Sequence, residues 1–199
     1  MIKIIKSQRE LLDFIYNIQV NTKDEFTVIL DLYSFEIKND NHFNKQRNIK
    51  MWKILLEEFF PNEDLTVAYN KYGKPYLLNN YRYFNISHKD QILVISISNK
   101  PIGVDIESII LKLDKKIQGL DLFLSKEEIS LLKQTKSSKL FGEMWSLREA
   151  LAKCKGIGLT LIPDPEIQYT GNDIRISSSY ELSRCYYKHY VISIVKRSK

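Results

Sequence analysis

Residues 102–107 read Ile102-Gly103-Val104-Asp105-Ile106-Glu107. Apolar and non-apolar residues alternate without a break, the pattern of a β-strand whose side chains take opposite faces in turn. Ile102, Val104 and Ile106 then share a buried face, and Gly103, Asp105 and Glu107 share the other. Two carboxylates about 7 Å apart on one strand face repel each other unless a cation lies between them. A hard divalent cation with oxygen ligands suits that position, and Gly103 leaves room for a ligand to come close. The alternative is a strand face with two acids turned to water.

On the N-terminal side, residues 91–98 alternate with Leu93, Ile95 and Ile97 on one face, and Asn99-Lys100-Pro101 turns the chain. Together the two stretches predict a hairpin. Before it, Phe84-Asn85-Ile86-Ser87-His88 reads as a short strand with a polar end. Ser87 and His88 point to opposite faces there, so they form no nucleophile–base pair, but a hydroxyl and an imidazole at a strand end can hold a phosphate. Short strands are predicted at 65–69 and 75–78, joined through Tyr72-Gly73-Lys74-Pro75. A helix over 46–60 turns Ile49, Trp52, Leu55, Leu56 and Phe59 inward and stops at Pro61. Residues 26–33 suit a strand, 34–45 a loop, and 8–19 a helix opened by the capping box Ser7/Glu10, with Leu11, Leu12, Phe14, Ile15 and Ile18 on its apolar face.

On the C-terminal side, residues 108–120 read as a connector, and Ser125 with Glu128 is a second capping box opening a short helix to about 134. A longer helix over about 139–155 ends at Gly156. It carries Trp145-Ser146-Leu147-Arg148-Glu149-Ala150-Leu151-Ala152-Lys153, which puts Glu149 and Lys153 on one face with Trp145 one turn earlier. Alone, that pair also fits an ordinary surface salt bridge. Strands are predicted near 165–169, 173–177 and 185–195.

Composition bounds the rest. The chain has 199 residues, 44% hydrophobic and 27% charged, enough for one ordinary domain or two small halves. Seven Gly and five Pro exclude collagen-like and low-complexity classes, and twelve Tyr with nine Phe exclude intrinsic disorder. Cys154 and Cys185 are too few for a disulfide scaffold and suggest a reducing compartment. No stretch reaches the ~18–20 apolar residues that cross a bilayer, and the charged start lacks a leader's apolar run. A cytoplasmic protein is expected. The net charge of +6 fits an anionic partner, or a lysine-rich surface kept for solubility. The three histidines, His42, His88 and His189, show no metal-ligand spacing, and Walker A, GxGxxG and HExxH patterns are absent.

The order of the motifs adds what none gives singly. Tyr72-Gly73-Lys74-Pro75, Phe84-Asn85-Ile86-Ser87-His88, Ile102-Gly103-Val104-Asp105-Ile106-Glu107, Phe123-Leu124-Ser125-x-x-Glu128, Trp145-Ser146-Leu147-Arg148-Glu149-Ala150-x-x-Lys153 and Gly156-x-Gly158-Leu159 follow one another. Over roughly residues 46–162 the chain resembles the 4′-phosphopantetheinyl transferase superfamily, in its longer type acting on carrier proteins of peptide and polyketide synthesis. That resemblance implies an α+β fold of two similar halves, about 1–103 and 104–199, related by a pseudo-twofold, each an antiparallel sheet packed by a long helix. It implies an Mg²⁺-dependent enzyme that moves the phosphopantetheine arm of coenzyme A onto a serine of an acyl or peptidyl carrier protein, releasing adenosine 3′,5′-bisphosphate.

Carried over residue by residue, the resemblance makes Asp105, Glu107 and Glu149 the Mg²⁺ carboxylates, with Glu149 and Lys153 catalytic. It places Lys74, Ser87 and His88 at the adenine and 3′-phosphate end of coenzyme A, and Arg148 and Lys153 beside the pyrophosphate. Arg47 is the one candidate in the N-terminal half for the 3′-phosphate, where residues 1–45 match the family poorly. The family often has Lys at position 148, and Arg keeps the charge in a planar fork. The apolar segment with Ile157, Leu159 and Leu161 suits either a core or an acidic carrier helix. A monomer is expected, with no nucleic acid and no membrane as partner. The rival readings are a non-catalytic coenzyme A or nucleotide-binding module and a basic nucleic-acid-binding domain. Against the second, basic residues are scattered among acids rather than arranged in a stripe with aromatic platforms.

Overall fold

A computed structural model of the chain describes residues 1–21, 25–35, 44–110, 120, 123–158, 166–170 and 173–199. The chain divides into two compact units, Met1–Pro101 and Ile102–Lys199. Helices and largely antiparallel sheets in each give the α+β class expected.

The first unit runs β1 (Ile2–Ile5), α1 (Gln8–Asn21), β2 (Phe26–Asp31), a 3-10 turn at Leu32–Phe35, α2 (Asn44–Phe59), β3 (Val67–Tyr69), β4 (Pro75–Leu77), β5 (Tyr83–Lys89) and β6 (Ile92–Ser98). Its main sheet has the order β1-β2-β6-β5, and β3 and β4 form a separate pair. Strand β1, which the sequence reading lacked, lies parallel to β2; the other pairs are antiparallel. Ser7 Oγ accepts the Glu10 amide at 3.2 Å, and the Glu10 carboxylate returns to the Lys6 amide at 2.7 Å, starting α1 as expected. Phe14, Ile15 and Ile18 of α1 and Trp52, Leu55, Leu56 and Phe59 of α2 share one core with Val28, Leu30, Phe84, Leu93 and Ile95 of the sheet. Phe14, Phe26 and Phe59 meet edge to face at 5.2–6.0 Å, which adds roughly 1 kcal/mol per pair to the burial of the rings. Leu12, placed on the buried face of α1 by its spacing, is exposed. Strand β6 is buried on both faces, so its alternation marks no wet side.

The second unit runs β7 (Ile102–Ser108), α3 (Lys126–Thr135), α4 (Ser138–Lys155), β8 (Ile167–Thr170), β9 (Asp173–Ile176), β10 (Tyr180–Tyr187) and β11 (Tyr190–Arg197). Its sheet has the order β10-β11-β7, all antiparallel, and β8 and β9 pair separately. The hairpin expected of residues 91–107 does not form: β6 and β7 belong to different sheets, and β7 pairs with β11 from the end of the chain. The single strand expected at 185–195 is in fact a hairpin turned at Lys188-His189. Lys188 carries a φ of 52°, a conformation that glycine or asparagine usually announces and lysine does not. Strand β5 likewise continues past Ser87-His88 to Lys89 and turns at Asp90, φ 50°.

Local signals in α3 and α4 hold. Ser125 Oγ accepts the Glu128 amide at 3.2 Å while Glu128 Oε2 accepts the Ser125 amide at 2.6 Å. Ser137 caps α4, and Gly156 ends it in the left-handed region at φ 71°. Leu147, Ala150, Leu151 and Cys154 of α4 join Leu132, Phe141, Ile167, Ile174 and Val195 in the core of this unit. Among the described residues no helix is long and apolar enough to cross a membrane. The connector expected at 108–120 falls mostly outside the described residues, as do Leu159 and Leu161.

Candidate active site

The acid-bearing face of β7 is covered by α4. A Cβ on Gly103 would run into the backbone oxygen of Ala150 and the backbone nitrogen of Cys154, with the Cys154 Cα at 3.0 Å. Gly103 therefore admits the helix, not a ligand as its place in the motif suggested. The close approach is fixed a second time at Ser193, opposite Asp105 on β11: its Oγ lies 2.7 Å from Ser146 Oγ of α4, both residues fully buried.

With the helix axis so close, the residues flanking the contact reach the strand. Lys153 Nζ donates to Asp105 Oδ1 at 2.6 Å and to the Val104 carbonyl at 3.2 Å. Asp105 is buried, and Glu107, two residues along, is half-buried. Burial, then the charges of Asp105 and Glu107, push the Glu149 carboxyl above its ordinary value, with Lys153 pulling the other way. Four expected site residues, Asp105, Glu107, Glu149 and Lys153, are thus gathered where β7 meets α4.

Arg148, expected beside the pyrophosphate, pairs with a carboxylate in the structure. It lies about 100° round the helix from Glu149 and pairs with Glu128 of α3, both side chains buried. Glu128 then serves twice, accepting the Ser125 amide with one oxygen and Arg148 with the other. Arg148 Nε is buried with no hydrogen-bond partner among the described residues. Trp145, expected on the face of Glu149, stacks on Phe141 at 5.9 Å and meets Phe123 edge-on at 5.5 Å. Sequence reading saw Glu128 only as a capping residue; its bond to a residue twenty positions away has no local sign. Replacing Arg148 by Met should cost about 3 kcal/mol in urea unfolding, because it strands a buried carboxylate. The double variant Arg148→Met with Glu128→Gln should cost less than the single one.

In the first unit, Lys74 sits in the β3–β4 turn, its amide donating to Asn70 Oδ1 at 3.0 Å. Gly73 before it has a φ of 81°, so the turn needs glycine there. Ser87 is buried on β5 opposite Val94, and His88 is exposed opposite Leu93. They stand beside the last residue of β5, on opposite faces as expected. Arg47 belongs to α2, and its side chain lies outside the described residues, as does His42.

Among the described residues, no three acidic, imidazole or thiol side chains are gathered tightly enough to enclose a metal ion as they stand. The donor chemistry fits a hard divalent cation all the same. Asp105, Glu107 and Glu149 offer hard oxygen donors, and burial first, then the charges of Asp105 and Glu107, disfavours the ionised form of Glu149, a cost that a divalent cation would relieve. In the structure the cation at Asp105 is Lys153.

Residues 101–195, which hold all four gathered residues, match the family model of the 4′-phosphopantetheinyl transferase superfamily. The chain is 39% identical over 101 residues to the 4′-phosphopantetheinyl transferase gsp of Aneurinibacillus migulanus, covering 50% of this chain and 41% of that protein. It is 32% identical over 150 residues to the 4′-phosphopantetheinyl transferase ffp of Bacillus subtilis, covering 72% and 65%. With the 4′-phosphopantetheinyl transferase Sfp of Bacillus subtilis strain 168 the figures are 29% over 168 residues, 79% and 72%. The chain thus spans less than two thirds of the length of the gsp and ffp proteins.

Proposed function

We propose that the chain is a member of the 4′-phosphopantetheinyl transferase superfamily, whose family model its residues 101–195 match, and that it transfers the 4′-phosphopantetheine arm of coenzyme A to a serine of an acyl or peptidyl carrier protein. The observation that carries this is the meeting of Asp105, Glu107, Glu149 and Lys153 at one crossing of strand and helix.

In this reading Asp105, Glu107 and Glu149 hold Mg²⁺, whose chemistry there is to neutralise the pyrophosphate of coenzyme A. The serine oxygen forms a bond to the β-phosphorus, and the bond to the adenosine 3′,5′-bisphosphate oxygen breaks. Glu149 accepts the serine proton, a task suited to a carboxylate made more basic by burial and by neighbouring acids. Lys153 meets the charge that grows on the leaving phosphate. Lys74, Ser87, His88 and Arg47 serve the adenine and 3′-phosphate end. Arg148, paired to Glu128, is a positioning residue that holds α4 and with it Glu149. The reading includes a monomer. Cys154 and Cys185 form no disulfide, which suits the reducing cytoplasm.

The test is a panel of acyl and peptidyl carrier proteins incubated with the protein, coenzyme A and Mg²⁺. At least one carrier is expected to gain the mass of phosphopantetheine on its serine, and chelation by EDTA should prevent the gain. No gain on any carrier with the protein folded would overturn the transferase and favour a coenzyme A-binding module.

A further inference from the structure

Building on the divalent-cation reading above, we propose that Lys153 is the resident counter-cation of the acid cluster. It is held on Asp105 until a divalent ion binds, and is then released towards the phosphates of the ligand.

The placement of Lys153 carries the argument. Its ammonium stands 2.6 Å from Asp105 Oδ1, and the Asp105 side chain is only 8% exposed. A carboxylate so far out of water needs a cation or donors beside it. Its second acceptor, the Val104 carbonyl at 3.2 Å, is neutral, so the ion pair is the stronger of the two contacts. A divalent ion on Asp105 would put like charges on one carboxylate, and the ammonium is the one that can leave. Lys153 ends a flexible four-carbon stem and is 27% exposed. The helix backbone beneath it is pinned by Gly103 and by Ser146–Ser193, so the exchange needs side-chain rotation alone. Ion binding and the availability of Lys153 are then linked, each favouring the other, and the ion precedes the contact of Lys153 with phosphate. Lys155, two residues on, makes a natural reference, because it pairs with Glu166 at 2.6 Å, a residue with no part in the cluster.

The test is amine acylation of the whole protein with an N-hydroxysuccinimide ester at fixed pH. It is run without coenzyme A, with and without Mg²⁺, and read by peptide mass. Acylation of Lys153 is expected to rise at least threefold with Mg²⁺ while that of Lys155 stays level. In parallel, Mn²⁺ binding is followed by electron paramagnetic resonance on the wild type and on Lys153→Met, which should bind the ion several-fold more tightly. Mn²⁺ bound by the wild type with Lys153 acylation unchanged would overturn the counter-cation and leave the metal reading standing. No Mn²⁺ binding by the wild type would overturn the metal reading and the counter-cation with it. The acylation measurement uses the wild type only, so it stands even if Lys153→Met fails to fold.

Discussion

Glu149→Gln is expected to lower transfer to a carrier protein by roughly 10²–10⁴-fold while leaving the fold as stable as before, or slightly more so. The substitution keeps the shape of the side chain and removes its charge. That charge is a ligand and a proton acceptor in the proposed reaction, but to the fold it is a burden. Burial and then Asp105 and Glu107 disfavour it, against the support of Lys153. A carboxyl whose folded pKa is raised binds more protons folded than unfolded. Its favourable contribution is therefore fully present below the ordinary value of 4.5 and is lost as pH rises through the raised folded value. The wild type should lose stability relative to Glu149→Gln across that window. Transfer rates and urea melts at several pH values check both halves. Near-normal turnover in Glu149→Gln would refute the assigned role.

Gly103→Ala is expected to abolish cooperative folding of the second unit. Overpacking a core with an extra methyl group typically costs about 1–3 kcal/mol, because side chains can shift to make room. Here the atoms in the way are the backbone oxygen of Ala150 and the backbone nitrogen of Cys154, and neither can turn aside. The helix as a whole must move off the strand. That breaks the Ser146–Ser193 contact and takes Lys153 out of reach of Asp105. Thermal unfolding and native-state hydrogen exchange of the β7 amides would show the loss. A Gly103→Ala protein that melts like the wild type would mean that α4 does not sit on β7 as described.

How much of this was legible depended on how local each cause is. The capping box at Ser125 and the stop at Gly156 are made by residues within one turn, and both were readable. The turn at Lys188 is equally local, but lysine does not advertise a left-handed φ, and the stretch around it reads as one strand. The burial of both faces of β6 and β7 depends on what covers the sheet, which alternation along one strand cannot tell. Residues far apart in sequence were legible only when they recurred in a fixed order, as the acids of β7 and the Glu-x-x-x-Lys of α4 did.

The elements α3 and α4, the α+β class and the candidacy of Asp105, Glu107, Glu149 and Lys153 can be read from the chain alone, because caps, periodicity and ordered motifs are written in neighbouring residues. Only the tertiary structure decided that β7 pairs with β11 rather than β6, that Gly103 faces a helix, that Arg148 belongs to Glu128, and that Lys153 rests on Asp105. Each of these is a choice of partner across a long stretch of chain. Such choices are settled by which buried charges and surfaces can be satisfied together, and no short stretch of sequence records that.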